Sequence, residues 1–162
     1  MVVVDSSVLI HLSRIGKLRL LNKFFGKIKI TPDVYNEVKE GVGAAEIERG
    51  CKTWILIRKP KLEEAEEISK SEGIEKADAS VILFAKEGKD ALVSNDYALL
   101  TVAKSKEIEC WWLTTFLLRC LKKRLVTKKE AKRTLFELVE SGMRLDNAVY
   151  TAVLREIEND KP

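Results

Sequence analysis

Residues 2–10 read Val2-Val3-Val4-Asp5-Ser6-Ser7-Val8-Leu9-Ile10, and residues 91–99 read Ala91-Leu92-Val93-Ser94-Asn95-Asp96-Tyr97-Ala98-Leu99. Both stretches run from three apolar residues, through an acid, into a helical pattern. A short apolar run closed by polar residues is a buried strand. Val8, Leu9, Leu12 and Ile15 then share one face of a helix from Ser6 to about Arg14. Further strands are expected at Ile28–Ile30, at 53–57 before Pro60, and at 108–113. Between them lie helical patterns at about 18–25, 32–40, 44–49, 62–71, 75–87 and 97–104. Thr31-Pro32-Asp33 is a strong helix start, with Thr as cap, Pro at the first helical position and an acid in the first turn. Strands alternating with helices predict an α/β fold, a central parallel sheet of about five strands with helices on both faces. Three helices (about 115–123, 127–140 and 146–158) complete the chain. The expected organisation is a core over 1–113 and a helical extension over 114–162, packed on the same domain.

The chain has 162 residues, 46% of them hydrophobic and 33% charged. That composition excludes a disordered chain, and no apolar run is long enough for a membrane span. The first residues have no basic region and no long apolar region, so no signal peptide is read and a cytoplasmic location is expected. Three cysteines (Cys51, Cys110, Cys120) without a CxxC spacing give neither a disulfide framework nor a thiolate metal site. A single histidine, His11, excludes HExxH zinc chemistry. It falls off the apolar face of its helix, so a surface position is expected. Gly41-Val42-Gly43 lacks the spacing and lysine of a phosphate loop and is read as a turn.

Ligands of a parallel sheet bind outside the carboxyl ends of its strands. Asp5 and Asp96 both follow strands and so stand at that edge, where each is also placed to cap a helix. Asp78 aligns with Val81, Ile82 and Ala85 on an apolar helix face, a costly place for an unpaired carboxylate. Glu75 lies one turn earlier, and Glu37 flanks Val34 and Val38 on the expected inner side of its helix. Four carboxylates in a small volume cannot all ionise without compensating cations. An all-oxygen donor set suits Mg²⁺ or Mn²⁺, and such a cluster is the usual design for metal-assisted phosphoryl transfer.

Four segments in this order resemble the PIN-domain nucleases: residues 3–10, 31–38 (Thr-Pro-Asp-Val-Tyr-Asn-Glu-Val), 77–85 (Ala-Asp-Ala-Ser-Val-Ile-Leu-Phe-Ala) and 92–99. The resemblance covers residues 1 to about 113. It implies a PIN-like fold and assigns the catalytic and metal-binding acids to Asp5, Glu37, Asp78 and Asp96. Glu75 is a substitute or additional ligand, because some relatives place a Glu slightly earlier in the third motif. The family's hydroxyl residues map to Ser7 and Ser94, in contact with ligands or phosphate, with plain helix-start hydroxyls as the competing reading. The implied activity is a divalent-metal-dependent endoribonuclease, in which activated water attacks phosphorus and leaves a 5′-phosphate and a 3′-hydroxyl. The tail from Thr114 through 141–145 to Leu154 is similar to that of a prokaryotic subgroup related to VapC-type toxins, which implies a small antitoxin partner and a homodimer. Residues 94–103 also resemble the PIN endonuclease that matures ribosomal RNA, although that enzyme's zinc ribbon is missing here. A catalytically silent PIN-fold binding module is the third alternative. A haloacid dehalogenase-type phosphatase is discounted, since Ser7 stands where it needs a second Asp.

Net charge is +4, but the charges are segregated. Residues 61–78 hold seven acids and three bases, whereas 119–133 hold eight Lys or Arg and one acid. An acidic site needs a basic surface to bring RNA in. Arg119, Lys122, Lys123, Arg124, Lys128, Lys129, Lys132 and Arg133 are the candidates, with a plain solvated helix pair as the competing reading. Trp111 and Trp112 are candidates for base stacking. Neighbours on a strand point to opposite faces, so at least one belongs to the core.

Overall fold

The computed structural model describes the backbone of residues 1–162 and every side chain except that of Leu62. Its strands are β1 (Val2–Val4), β2 (Ile28–Ile30), β3 (Ile55–Ile57), β4 (Ala91–Val93) and β5 (Cys110–Trp111). All pair in parallel, in the order β3-β2-β1-β4-β5. Val2, Val3 and Val4 are all buried although successive side chains point to opposite faces. Both faces of the central strand are therefore covered, as a parallel sheet requires.

Helices α1 (Ser6–Arg14) and α2 (Arg19–Phe25) lie between β1 and β2, and α3 (Pro32–Val38) and α4 (Ala44–Cys51) between β2 and β3. Next come α5 (Leu62–Glu72) and α6 (Lys76–Gly88), then α7 (Tyr97–Ser105) between β4 and β5. Helices α8 (Leu113–Lys122), α9 (Lys128–Glu140) and α10 (Asn147–Asn159) close the chain. Helix α6 is central. It packs on β1, β4, α3, α5 and α7, and Ala79 through Ala85 are all buried. A helix apolar on nearly every side belongs in such a position.

One contiguous core joins the sheet to the last helices: it includes Val3, Val93, Phe116, Leu135, Leu138, Val153 and Ile157. Phe24, Phe25, Trp111 and Phe116 form an aromatic cluster within it, with Phe25 and Phe116 stacked at 5.7 Å. Each such pair adds about 0.5–1.5 kcal/mol beyond its buried area.

Two strands are shorter than the sequence pattern suggests. The amides of Thr53 and Trp54 both donate to the Gly50 carbonyl, so they finish α4 rather than start β3. Ile108 donates to Ala103 and closes the turn after α7, and Leu113 already opens α8. The turn at 41–43 is where expected. Gly43 has φ +84°, and a Cβ there would lie 2.4 Å from Ser13 Cβ. No side chain fits, on grounds of both conformation and space.

Two parts of the sequence reading need correction. His11 is half-buried, not on the surface: its Nδ1 is enclosed without a partner, and burial together with the charge of Arg14 holds its pKa below the ordinary value. Glu37 is exposed while its neighbours Val34 and Val38 are buried. The helix turns those two valines inward and leaves Glu37 at the rim.

An ion pair at the amino edge of the sheet was not anticipated. Lys29 Nζ on β2 lies 2.6 Å from the buried Asp90 Oδ2, just before β4. The two residues are 61 positions apart.

Candidate active site

The chain leaves β1 in one direction toward β2 and β3, whereas β4 and β5 lie on its other side. The carboxyl ends of β1 and β4 thus form the point where strand order reverses, the usual ligand crevice of an open α/β sheet. Val4 pairs with Val93, which sets Asp5 beside Ser94.

Asp5 is buried and occupies the cap position of α1, yet its side chain accepts no capping hydrogen bond. Its Oδ2 accepts from Ser7 Oγ at 2.8 Å and from Ser94 Oγ at 2.9 Å. The two hydroxyls are held in turn: Ser7 Oγ accepts the Asn95 amide and Ser94 Oγ accepts the Asp96 amide, each at 3.0 Å. A hydroxyl that accepts a backbone N–H has its own proton free to aim at a carboxylate. Both serines therefore fix the Asp5 rotamer. Among the described residues, the one side-chain hydrogen-bond partner of Oδ1 is Ser6 Oγ at 3.5 Å, too long to hold it.

Asp96 is the cap of α7, its Oδ1 accepting from the Leu99 amide at 3.0 Å. Capping and a place in the site are compatible, because that bond uses one oxygen. Asp78 comes from the first turn of α6. That helix runs down into β4, so its start lies at the carboxyl edge of the sheet. Glu75, the cap residue of α6, is exposed and makes no side-chain cap bond.

The electrostatics show that these acids share one neighbourhood. The Asp78 carboxyl is pushed up to about 6, first by burial and then by the negative charges of Asp5, Asp96, Glu75 and Glu37, in that order. Asp5 is thus its strongest acidic neighbour and Glu37 its weakest. A carboxyl surrounded by four others gains most from a cation.

The donor set is oxygen throughout, which fits a hard divalent cation and not a soft one. Among the described residues, no three His, Cys, Asp or Glu side chains stand close enough to grip an ion by themselves. An open acidic cleft of this kind fits an ion that keeps several of its waters, as Mg²⁺ does.

Among the described residues, no ion pair joins the basic run to Asp5, Asp78 or Asp96. Lys123 Nζ lies 4.1 Å over the ring of Phe24. The Arg119 guanidinium lies 3.7 Å over buried Trp111. Arg124 pairs with Asp160 and Lys132 with Glu158, while Lys128 Nζ donates to the Glu158 carbonyl at 2.8 Å. Arg133 pairs with Glu137 one turn on. Arg124, Lys128 and Lys132 thus fasten the last helices to one another. Lys122 and Lys129 are exposed. Charge counting along the chain missed the acids of α10 that meet this run.

The two tryptophans separate. Trp111 is core, its Nε1 donating to Glu109 at 2.7 Å. Trp112 is half-buried and stacks with Tyr97 at 6.4 Å between centroids. Tyr97, directly after Asp96 and 76% exposed, was missed by the sequence reading. The signal was an aromatic residue at the outer start of a helix beside a strand-end acid.

Comparison with known proteins agrees with the fold. The crystal structure of PAE2754 from Pyrobaculum aerophilum is similar, with a TM-score of 0.54 at 23% identity over 73% of this chain and 93% of that one. No curated protein matches the chain. The family DUF3368, described as a PIN domain, matches residues 1–159, and so includes the last three helices. That match spans nearly the whole sequence: the chain belongs to the PIN-domain family.

Proposed function

We propose that this protein is a divalent-metal-dependent endoribonuclease that hydrolyses RNA phosphodiester bonds, and that its role is that of the toxin in a VapBC-like toxin–antitoxin pair. The observation that carries the catalytic reading is the acidic cleft at the β1–β4 switch point. There the Asp5 carboxylate is held by two serines, and Asp78 is charged against by four other acids. The toxin role rests on the likeness of the tail to that subgroup; RNA, a small antitoxin and a second copy are the partners it proposes.

Asp5, Asp78 and Asp96 would hold Mg²⁺ or Mn²⁺, with Glu37 and Glu75 at the rim. A bound ion supplies acidity to water and neutralises charge on the transferring phosphate. The chain's own residues do the positioning. Ser7 and Ser94 keep Asp5 Oδ2 occupied, so that Oδ1 is the oxygen turned to the ligand. Asp78 gives up its proton before it can act as a ligand. Asp96 keeps Oδ1 on the α7 amide and offers Oδ2. Glu37, exposed at the rim, would orient the attacking water. In-line attack on phosphorus breaks the bond to the 3′ oxygen and leaves a 5′-phosphate.

The test is incubation of purified protein with mixed RNA in Mn²⁺ or Mg²⁺, beside an Asp5→Asn, Asp78→Asn double variant and an EDTA control. Cleavage by the wild type alone, lost in EDTA, is the expected result. Equal cleavage by both proteins would refute the site. No cleavage, together with no ion binding, would favour the silent binding module.

A further inference from the structure

A cavity of about 510 Å³ opens beside the acidic cleft. Its wall includes Asn95 and Tyr97, which flank Asp96, together with Trp112, Arg144, Leu145 and Val149. Three parts of the chain meet here: the start of α7, the junction of β5 with α8, and the loop leading into α10. Tyr97 and Val149 are among the few large apolar side chains left exposed, at 76% and 44%. Tyr97 and Trp112 lie within 27° of coplanar, which makes a tiered aromatic platform. Trp112 packs against the core on its inner side, and Tyr97 is the outer tier.

The charges beside the platform are of the opposite sign to those in the cleft. Lys104 Nζ lies 6.0 Å over the Trp112 ring. Arg144 is exposed and forms no ion pair among the described residues. The one acid on the wall, Asp146, has an oxygen committed to the Ala148 amide as the cap of α10. Asn95 adds an amide that can both donate and accept. Aromatic faces, flanking cations and one amide form the chemistry that takes up an unpaired base between phosphates.

We propose that this cavity is a nucleobase subsite. An unpaired base of a strand whose phosphate lies in the acidic cleft stacks on Tyr97 and Trp112, and Arg144 meets a neighbouring phosphate. The inference rests on the nuclease reading, because that reading places the strand. The base that the subsite holds is unpaired, since a paired base cannot reach the rings. The subsite also gives the helical extension a part in substrate binding, through Arg144 and Val149. The cations of 119–133 are not required for it.

The test measures binding of a labelled single-stranded RNA, the same strand with one abasic position, and a duplex. All proteins carry Asp5→Asn so that the strand survives, with Tyr97→Ala, Tyr97→Phe or Arg144→Ala added. Cleavage is then measured with Asp5 restored, and mass in solution is recorded for each protein. Tyr97→Ala should weaken single-strand binding roughly tenfold, as loss of one stacked base does. Tyr97→Phe should keep the affinity, and Arg144→Ala should flatten its salt dependence. The abasic strand should bind the parent as weakly as the intact strand binds Tyr97→Ala. In cleavage, Tyr97→Ala should raise KM and leave kcat within about threefold. Unchanged affinity in Tyr97→Ala, or equal affinity of the parent for duplex and single strand, would overturn the subsite while any cleavage kept the nuclease reading intact. Base-dependent binding without cleavage by any variant would keep the subsite and sink the nuclease reading. A dimer lost in Tyr97→Ala with strand binding unchanged would assign the face to a second copy and overturn the proposal.

Discussion

Ser7 and Ser94, 87 positions apart, donate to the same oxygen of Asp5, and their own oxygens lie 3.5 Å from one another. Each also accepts the amide of a residue at the end of β4. The two hydroxyls thus tie the acid after β1 to the backbone that carries the acid after β4. Ser94→Ala removes one donor to Asp5 and leaves the Asp96 amide without its partner. We expect a stability loss of about 1–2 kcal/mol and a fall in activity or ion affinity of roughly 10–100-fold. Thermal unfolding and ion titration read the two effects separately. A Ser94→Ala protein with wild-type ion affinity would show that the tie is dispensable.

The raised pKa of Asp78 gives opposite pH trends with and without an ion. In the folded chain it rises from 3.8 to about 6. Above pH 6 the ion-free fold bears the cost of an ionised Asp78. That cost is relieved as pH falls through 6 and is gone below about 4. The group is half exposed, so water screens the effect to roughly 1 kcal/mol. Asp78→Asn should therefore be more stable than wild type at pH 7.5 without ions, and the difference should shrink toward pH 4. Divalent ion affinity of the wild type should instead fall below pH 6, as a proton displaces the ion. Parallel unfolding curves for both proteins at all pH values would contradict the assignment.

The basic run should matter for stability before it matters for substrate. Arg124→Ala frees the end of the chain, where Arg124 meets Asp160 and the Lys161 carbonyl. About 1 kcal/mol of stability should go, since the pair is partly exposed. Cleavage per folded molecule should stay within about twofold, well short of the tenfold that 1.4 kcal/mol in the transition state would cost. A large drop in kcat/KM at unchanged stability would return this surface to RNA binding.

The Lys29–Asp90 pair offers a test remote from the site. Asp90 is buried and also pairs with the Met1 amino group at 3.2 Å, so removing Lys29 alone takes away one of its two cations and should cost about 2 kcal/mol. Changing both residues to apolar ones of similar size should cost much less than the sum of the single changes. Denaturant unfolding of the four proteins completes the cycle. Additive losses would mean that the pair is not coupled.

The strands and the edge-standing acids were readable because most strands are short apolar runs ended by an acid or by a helix start, and β3 is closed by Pro60. Asp5 and Asp96 follow directly from that grammar. Asp78 was readable because a charge on an apolar helix face has few explanations. Glu37 was placed too deep, since a residue flanking two buried valines lies on the boundary of the face and the period alone does not say which side. The purpose of the basic run was illegible for a different reason. Its acidic partners, Glu158 near the end of α10 and Asp160 just after it, lie some thirty positions along, and only the folding of the last helices brings them together. The Tyr97–Trp112 platform likewise joins two elements that sequence spacing does not relate.

The strand order has a consequence during synthesis. Strand β1 pairs with β2 on one side and β4 on the other, so the Asp5 side chain meets Ser94 only after the ribosome has released residues beyond 96. A shorter nascent chain holds Asp5 and the first three strands but has neither of the β4-borne groups that orient and complete the cluster. The acidic cleft is thereby assembled only once more than half of the chain has emerged.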